Sequence, residues 1–286
     1  MIAVTGVTGG IGSRVSARLA ERGVDQVLVA RDPSRAPDLY GAEVRQVSDC
    51  SHAGDMRAAL EGVDTLLLVS FEESRDRVAR HSAAIDAAVA AGVERIVYTS
   101  FFGADPDATF ILARDHFHTE EHLRASGVGW TVLRDNIYLD VIPYFAGADG
   151  KIRGPAGEGR SAAVARDDIA DVAVEALTDE AHEGQTYELT GPEAITMAEA
   201  ADRLSDFVGE TIEFVDETIE EAWESRRPSG EPDWIIEGWV STYLGIANGD
   251  LDGATHAVEA ITGHPPINLE EQLSRYPESY AHLTGD

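Results

Sequence analysis

The chain has 286 residues, 43% of them hydrophobic, which suffices for one large domain or two smaller ones at about 150 residues each. Acidic residues outnumber basic ones 52 to 22, a formal net charge of −30, and Lys151 is the single lysine. Such a field repels phosphate backbones and argues against nucleic acid as a partner, and no apolar run approaches the roughly 20 residues of a membrane span, so no membrane insertion is expected.

A strand is predicted at residues 2–5. It runs into "TGVTGGIG", which places Gly6, Gly9, Gly10 and Gly12 at the mouth of a helix over 11–22 that ends at Gly23. In a strand–loop–helix unit these glycines permit a tight turn, close approach of backbone to a pyrophosphate, and close packing of helix on strand. The helix start adds free N–H groups and a partial positive charge. The loop therefore points to a dinucleotide, with Thr8 and Ile11 completing its cofactor-facing set. A glycine turn with no ligand is the bland alternative.

The second strand, 26–30, decides between the two nicotinamide dinucleotides. An acid after this strand suits a ribose hydroxyl, whereas an arginine suits a ribose phosphate. Here Arg31 follows directly, Arg35 lies a turn later and Asp32 stands one residue late, so NADP(H) is the expected cofactor. Further strands are predicted at 43–47, 65–69, 95–99 and 129–133, with helices over 74–91 and 113–126 that end at Gly92 and Gly127. Apolar, β-branched strands alternating with amphipathic helices describe an α/β protein with a Rossmann-type, doubly wound parallel sheet. Beyond residue 138 the rhythm changes. A glycine-rich loop spans 147–160, helices are expected over 166–177 and 196–208, and short strands over 187–189 and 213–215. A mostly helical tail carries Trp223, Trp234 and Trp239. The expected division is a nucleotide-binding domain over 1–150 and a smaller α+β substrate or lid lobe over 151–286, the two intertwined.

The motifs "VTGVTGGIG", "LLLVS" before "RVARHSAAIDAAVAAGV", "IVYTS", "LARDHFHTEEHLRASGVGWTVLR", "HEGQTYELTG" and "TGHP" run along nearly the whole chain. By them the sequence resembles the NmrA-like atypical short-chain dehydrogenases, and within that family the NADPH-dependent quinone oxidoreductases. Ordinary short-chain dehydrogenases carry a tyrosine and a lysine four residues apart at the start of the helix predicted here over 113–126. Aligned on the "LRASG" ending, those slots hold Leu112 and His116. Alcohol oxidation, which needs a proton shuttle, is disfavoured, whereas hydride transfer to a quinone needs one less. The resemblance gives His116 a tentative catalytic role, either orienting the cofactor or donating a proton; a structural helix histidine is the alternative. Fold and resemblance further imply that Val69, Ser70 and Phe71 cover the adenosine side, that Thr99, Ser100 and Phe101 lie near the nicotinamide, and that Arg134, Asn136 and Tyr138 of "LRDNIY" wrap it. The apolar members fit core or lid packing equally well. Asp135 departs from the family, which more often has Asn or Pro there. Phe102, Tyr144 and Trp234 are candidates for a flat wall against a planar acceptor. His118 and His122 have the spacing of a metal pair on a helix, but no third ligand is placed and no metal is expected.

The expected function is therefore NADPH-dependent hydride transfer to a quinone or similar planar conjugated acceptor, by a monomer or homodimer. The alternative is an NADP-binding redox sensor of the NmrA type that turns nothing over. A lone cysteine, Cys50, and a start that leads straight into a strand make the cytoplasm the expected compartment. The dispersed acids suit a salt-rich cytoplasm, where the screening length falls to about 3 Å at molar salt; an ordinary acidic protein with codon-biased arginine usage is the other reading.

Overall fold

Successive residues of a strand point to opposite faces of its sheet, and the inner strands here carry apolar residues at consecutive positions, so both faces must be covered. A computed structural model, which describes residues 1–284, meets that requirement. The first part of the chain forms β1 (Ile2–Val4), α1 (Gly10–Glu21), β2 (Gln26–Ala30), β3 (Ala42–Gln46), α2 (Ala53–Ala59), β4 (Thr65–Leu68), α3 (Arg77–Ala91), β5 (Arg95–Phe101), α4 (Ile111–Ala125) and β6 (Gly129–Asp135). The remainder adds β7 (Lys151–Gly154), β8 (Arg160–Ser161), α5 (Arg166–Thr178), β9 (Thr186–Leu189), β10 (Ile195–Thr196), α6 (Met197–Val208), β11 (Glu213–Asp216), α7 (Ile219–Arg226), α8 (Asp233–Ala247), α9 (Ala257–Thr262) and α10 (Leu269–Arg275).

Seven parallel strands form the main sheet in the order β3-β2-β1-β4-β5-β6-β9. From β1 the chain winds outward through β2 and β3, then returns to lay β4 on the other side of β1. That reversal opens a crevice at the carboxyl ends of β1 and β4, where open α/β sheets bind ligands. Ala3, Val27 and Leu66 pack into one core with Ile85 of α3 and Leu123 of α4. Val4, Leu28 and Leu67, one residue further along each strand, pack into another with Val15 of α1 and Val172 of α5. A third core fills the smaller lobe, where Ile142, Ile152, Leu204, Tyr243 and Ile246 meet. Among the described residues no helix is long and apolar enough to cross a membrane.

The first six strands begin within a residue of expectation, and β5 and β6 run two residues further, to Phe101 and Asp135. Two helix starts shift. α3 begins at Arg77 rather than residue 74, and α4 at Ile111 rather than 113, which brings Leu112 into the helix. The seven-residue α2 is the helix that the join in "EGVDTLLLV" implies without bounds, and β7 and β8 arise inside the stretch read as a loop. The chain after residue 151 does more than build a second lobe. It supplies α5, which packs on α1, and β9, which pairs with β6 and completes the sheet. A division at residue 150 therefore describes chain order better than it describes cores.

Candidate active site

One cleft of about 820 Å³ runs along the carboxyl ends of the strands. Gly6, Thr8, Gly9, Gly10 and Ile11 form one wall of it. Gly6 holds φ at +63°, where a side chain would be strained, and a Cβ there would lie 3.1 Å from the Val69 Cβ. The Gly9 N–H donates to the Gly6 carbonyl at 2.8 Å, tightening the turn. Gly12 stands behind the wall; a Cβ on it would fall 2.4 Å from the Gly6 oxygen, so this position needs glycine for helix–loop packing. The first turn of α1 carries no acid and no side-chain cap, which leaves its N–H groups for an anion. A dinucleotide pyrophosphate fits this donor set. Arg166, at the start of α5, adds a cation: its Cδ lies 2.8 Å from where a Gly10 Cβ would sit, and its guanidinium lies 4.5 Å from the centre of the Tyr138 ring. Nothing local in the sequence links Arg166 to a loop so far away in the chain.

Arg31 lines the cleft at the end of β2, exposed, with its guanidinium 3.5 Å from Glu72. Asp32 does not line the cleft, and its carboxylate accepts the N–H and hydroxyl of Ser34 at 3.0 and 2.7 Å. Arg35 closes the short 3-10 turn Pro33–Arg35 and does not line the cleft. Arg80, which sequence reasoning missed, does line it. It pairs with Asp49 at 3.0 Å and stands 5.4 Å from the centre of the Phe71 ring.

Behind the middle of the cleft lies a buried polar chain. An arginine can only donate, so the 3.1 Å contact from Arg77 Nη2 makes His116 Nε2 the acceptor. The His116 proton therefore sits on Nδ1, which donates to the Tyr98 hydroxyl oxygen at 2.9 Å. His81 repeats the pattern. Its Nε2 accepts the Phe71 N–H at 2.9 Å and its Nδ1–H meets Thr119 Oγ1 at 3.1 Å, while the Thr119 hydroxyl donates to the Asp115 carbonyl. Burial first, and then the Arg77 charge, push His81 down to about 3 and His116 well below its ordinary value. Both rings are neutral, with both nitrogens committed. The one proton of His116 is thus engaged by Tyr98.

The expected strand-end residues divide. Val69, Ser70, Phe71, Ser100, Phe101, His116, Asn136 and Tyr138 line the cleft, whereas Thr99 and Arg134 do not. Thr99 Oγ1 accepts the Ser70 N–H at 2.8 Å and so fixes the end of β4. Arg134 is clamped by Glu120 at 2.8 Å and Glu188 at 3.0 Å. Asn136 spends its side chain on the Leu251 carbonyl and on the N–H of Ile137. Burial raises the Asp135 carboxyl well above the usual range, and its Oδ1 has no partner.

Aromatic residues do wall the far end, but not those expected. Phe101, Phe110, Phe145 and Trp239 line it with Leu112 and Val141. Phe102 packs against the small-lobe core, the exposed Tyr144 stacks on His282, and Trp234 lies beneath Arg75. His122 bonds to Asp86 at 2.8 Å and His118 is exposed.

Comparison with known proteins gives the family. The model of a family described as NAD(P)H-binding matches residues 6–180. Quinone oxidoreductase 2 of Escherichia coli (strain K12) is 33% identical over 283 residues, 96% of this chain and 98% of that protein. NAD(P)H azoreductase of Xenophilus azovorans is 33% identical over 280 residues, 95% and 96% of the two chains. The crystal structure of an E. coli NADPH-dependent quinone oxidoreductase complexed with NADPH superimposes with a TM-score of 0.88 at 32% identity, over 96% of this chain and 99% of that one.

Proposed function

The chain belongs to the NAD(P)H-binding family, and from that premise we propose that it is an NADPH-dependent oxidoreductase that reduces quinones or similar planar conjugated acceptors. One observation carries the reading. The glycine wall and Arg31 occupy one end of the cleft, an apolar chamber of Phe101, Phe110, Leu112, Phe145 and Trp239 occupies the other, and a neutral, fully engaged imidazole stands between them. Bound NADPH supplies a hydride. Within this reading the loop N–H groups and Arg166 hold the pyrophosphate, and Arg31 meets the ribose phosphate with Arg80 behind it. Phe71 is fixed by His81 and packs the adenosine side. His116 positions Arg77 and does not shuttle protons. The apolar lining stacks a flat acceptor. Leu112, in place of a phenol, leaves no acid there for alcohol chemistry.

The test is NADPH consumption with a panel of benzoquinones, naphthoquinones and azo dyes, beside direct measurement of NADPH and NADH affinity. The proposal expects turnover with several planar acceptors and tighter binding of NADPH than NADH. Tight NADPH binding with no turnover on any acceptor would instead make this a sensor.

A further inference from the structure

We infer that Arg77 forms an oxyanion-binding site in the cleft, receiving the acceptor oxygen that gains negative charge on reduction. This rests on the hydride-transfer reading above. A quinone that takes up a hydride gains two electrons and one hydrogen, and its far oxygen becomes a phenolate until water protonates it. The electron source is the dihydronicotinamide, which is oxidised. A group that stabilises that phenolate is needed, and the one proton of His116 is engaged by Tyr98.

Arg77 borders the cleft and is only 6% exposed. Its Nε donates to the Phe71 carbonyl at 2.9 Å and its Nη2 to His116 at 3.1 Å, both neutral acceptors, while Nη1 is buried with no partner. A buried cation without a counter-charge is costly, so the fold keeps this one at a disadvantage. Acids outnumber bases 52 to 22 in this chain, and other half-buried arginines find carboxylates: Arg18 has Asp167 and Asp171, Arg80 has Asp49, and Arg134 has Glu120. Arg95 shows the other way of settling a buried guanidinium. It donates to three carbonyls at the end of α5, those of Ala176, Leu177 and Asp179, at 2.8 to 3.0 Å. Arg77 has neither arrangement. Glu73 on the cleft rim and Asp115 on α4 feel its field, which opposes the upward push of burial on each, but neither bonds to it. The guanidinium also sits at a useful place. Phe71 and His116, which hold it, face the middle of the cleft, and Leu112, one turn before His116 on α4, lines the acceptor chamber. A phenolate oxygen brought against this guanidinium, with a small turn of the side chain that uncovers Nη1, would complete the donor set with a charge-assisted hydrogen bond.

The test uses para-nitrophenol, a planar phenol that reports its own ionisation by absorbance and undergoes no hydride transfer. It is titrated into the NADP⁺-loaded protein across pH. The wild type should prefer phenolate over phenol by about tenfold, lowering the pKa of the bound probe by about one unit. Arg77→Gln should abolish the preference with NADP⁺ affinity changed by less than about threefold, and Arg77→Lys should keep part of it. Three results each overturn the inference: wild-type protein that fails to bind the probe or shows no phenolate preference, Arg77→Gln that retains the preference, or Arg77→Gln whose loss falls on NADP⁺ alone. If Arg77→Gln does not fold, wild-type protein without a phenolate preference still overturns the inference, and Arg77→Lys, keeping only part of that preference, supports it. A phenolate preference in a protein with no quinone turnover would remove the proposed reaction and leave the site, and turnover without the preference would do the reverse.

Discussion

Replacing Glu120 by alanine probes how the strand ends beneath the cleft are held. The carboxylate is fully buried. One oxygen accepts from Arg134 Nε at 2.9 Å and from the Ser100 hydroxyl; the other accepts from Arg134 Nη2 at 2.8 Å and Arg124 Nη2 at 2.9 Å. The side chain thus ties α4 to the ends of β5 and β6, and Ser100 lines the cleft. Removing one partner of a buried ion pair costs about 3–5 kcal/mol, because the other charge is left behind. Arg134 retains Glu188 at 3.0 Å, a half-exposed partner, which puts the expected loss near the lower figure, about 3 kcal/mol. Glu120→Gln keeps the shape and an acceptor for Ser100 but turns an amide donor toward arginine, and should lose about 2 kcal/mol. Urea denaturation at fixed salt measures both. A double-mutant cycle with Arg134→Ala should return a coupling of about 2 kcal/mol. A loss under about 1 kcal/mol for Glu120→Ala, or no coupling in the cycle, would refute the argument.

Arg31→Asp should raise the NADPH dissociation constant by about tenfold and leave that for NADH within about threefold, since one exposed charge-assisted contact is removed; unchanged NADPH affinity measured by fluorescence titration would contradict the assignment. Because burial and Arg77 hold His116 neutral, kcat/KM should show no step near the ordinary histidine pKa of 6.5; a step there that vanishes in His116→Asn would contradict the tautomer deduced here. Burial raises Asp168 from 3.8 to about 6 although it accepts the Ile267 N–H at 2.8 Å. Its folded pKa exceeds the unfolded one, so its contribution is full below 3.8 and is lost as pH rises through about 6. By pH 7 the ionised carboxylate costs about 3 kcal/mol, so Asp168→Asn, which keeps an acceptor, should raise stability at pH 7–8 and leave it unchanged at pH 4; equal effects at both would sink the idea. With a net charge of −30, the melting temperature should climb between about 0.1 and 3 M KCl, and calorimetry showing the same value in both would argue for an ordinary acidic protein.

Much of the site was legible because its logic is local. The glycine wall, Arg31, and Leu112 with His116 each show within a short window what they exclude or admit: a loop that side chains cannot occupy, a cation after the second strand, a helix lacking its phenol. The role of His116 was not legible. Its protonation depends on which neighbour donates to it, and Arg77 and Tyr98 lie on two other elements, 39 and 18 residues away. Arg134 misled for the same reason: beside the cleft in sequence, it is drawn off by Glu120 and Glu188. The aromatic wall was misassigned because the spacing of aromatic residues does not say whether a ring faces core, solvent or cleft.

Taken alone, the sequence determined the alternation of strand and helix, the doubly covered parallel sheet and the dinucleotide loop, all of which follow from periods of two and 3.6 residues and from the conformational freedom of glycine. Only the tertiary structure decided that α5 and β9 return to that sheet, that Arg166 reaches the loop, and that a buried arginine borders the cleft with a donor unspent. Those outcomes depend on contacts between residues far apart in the chain, where hydrogen-bond direction and burial are set by packing rather than by neighbours in sequence.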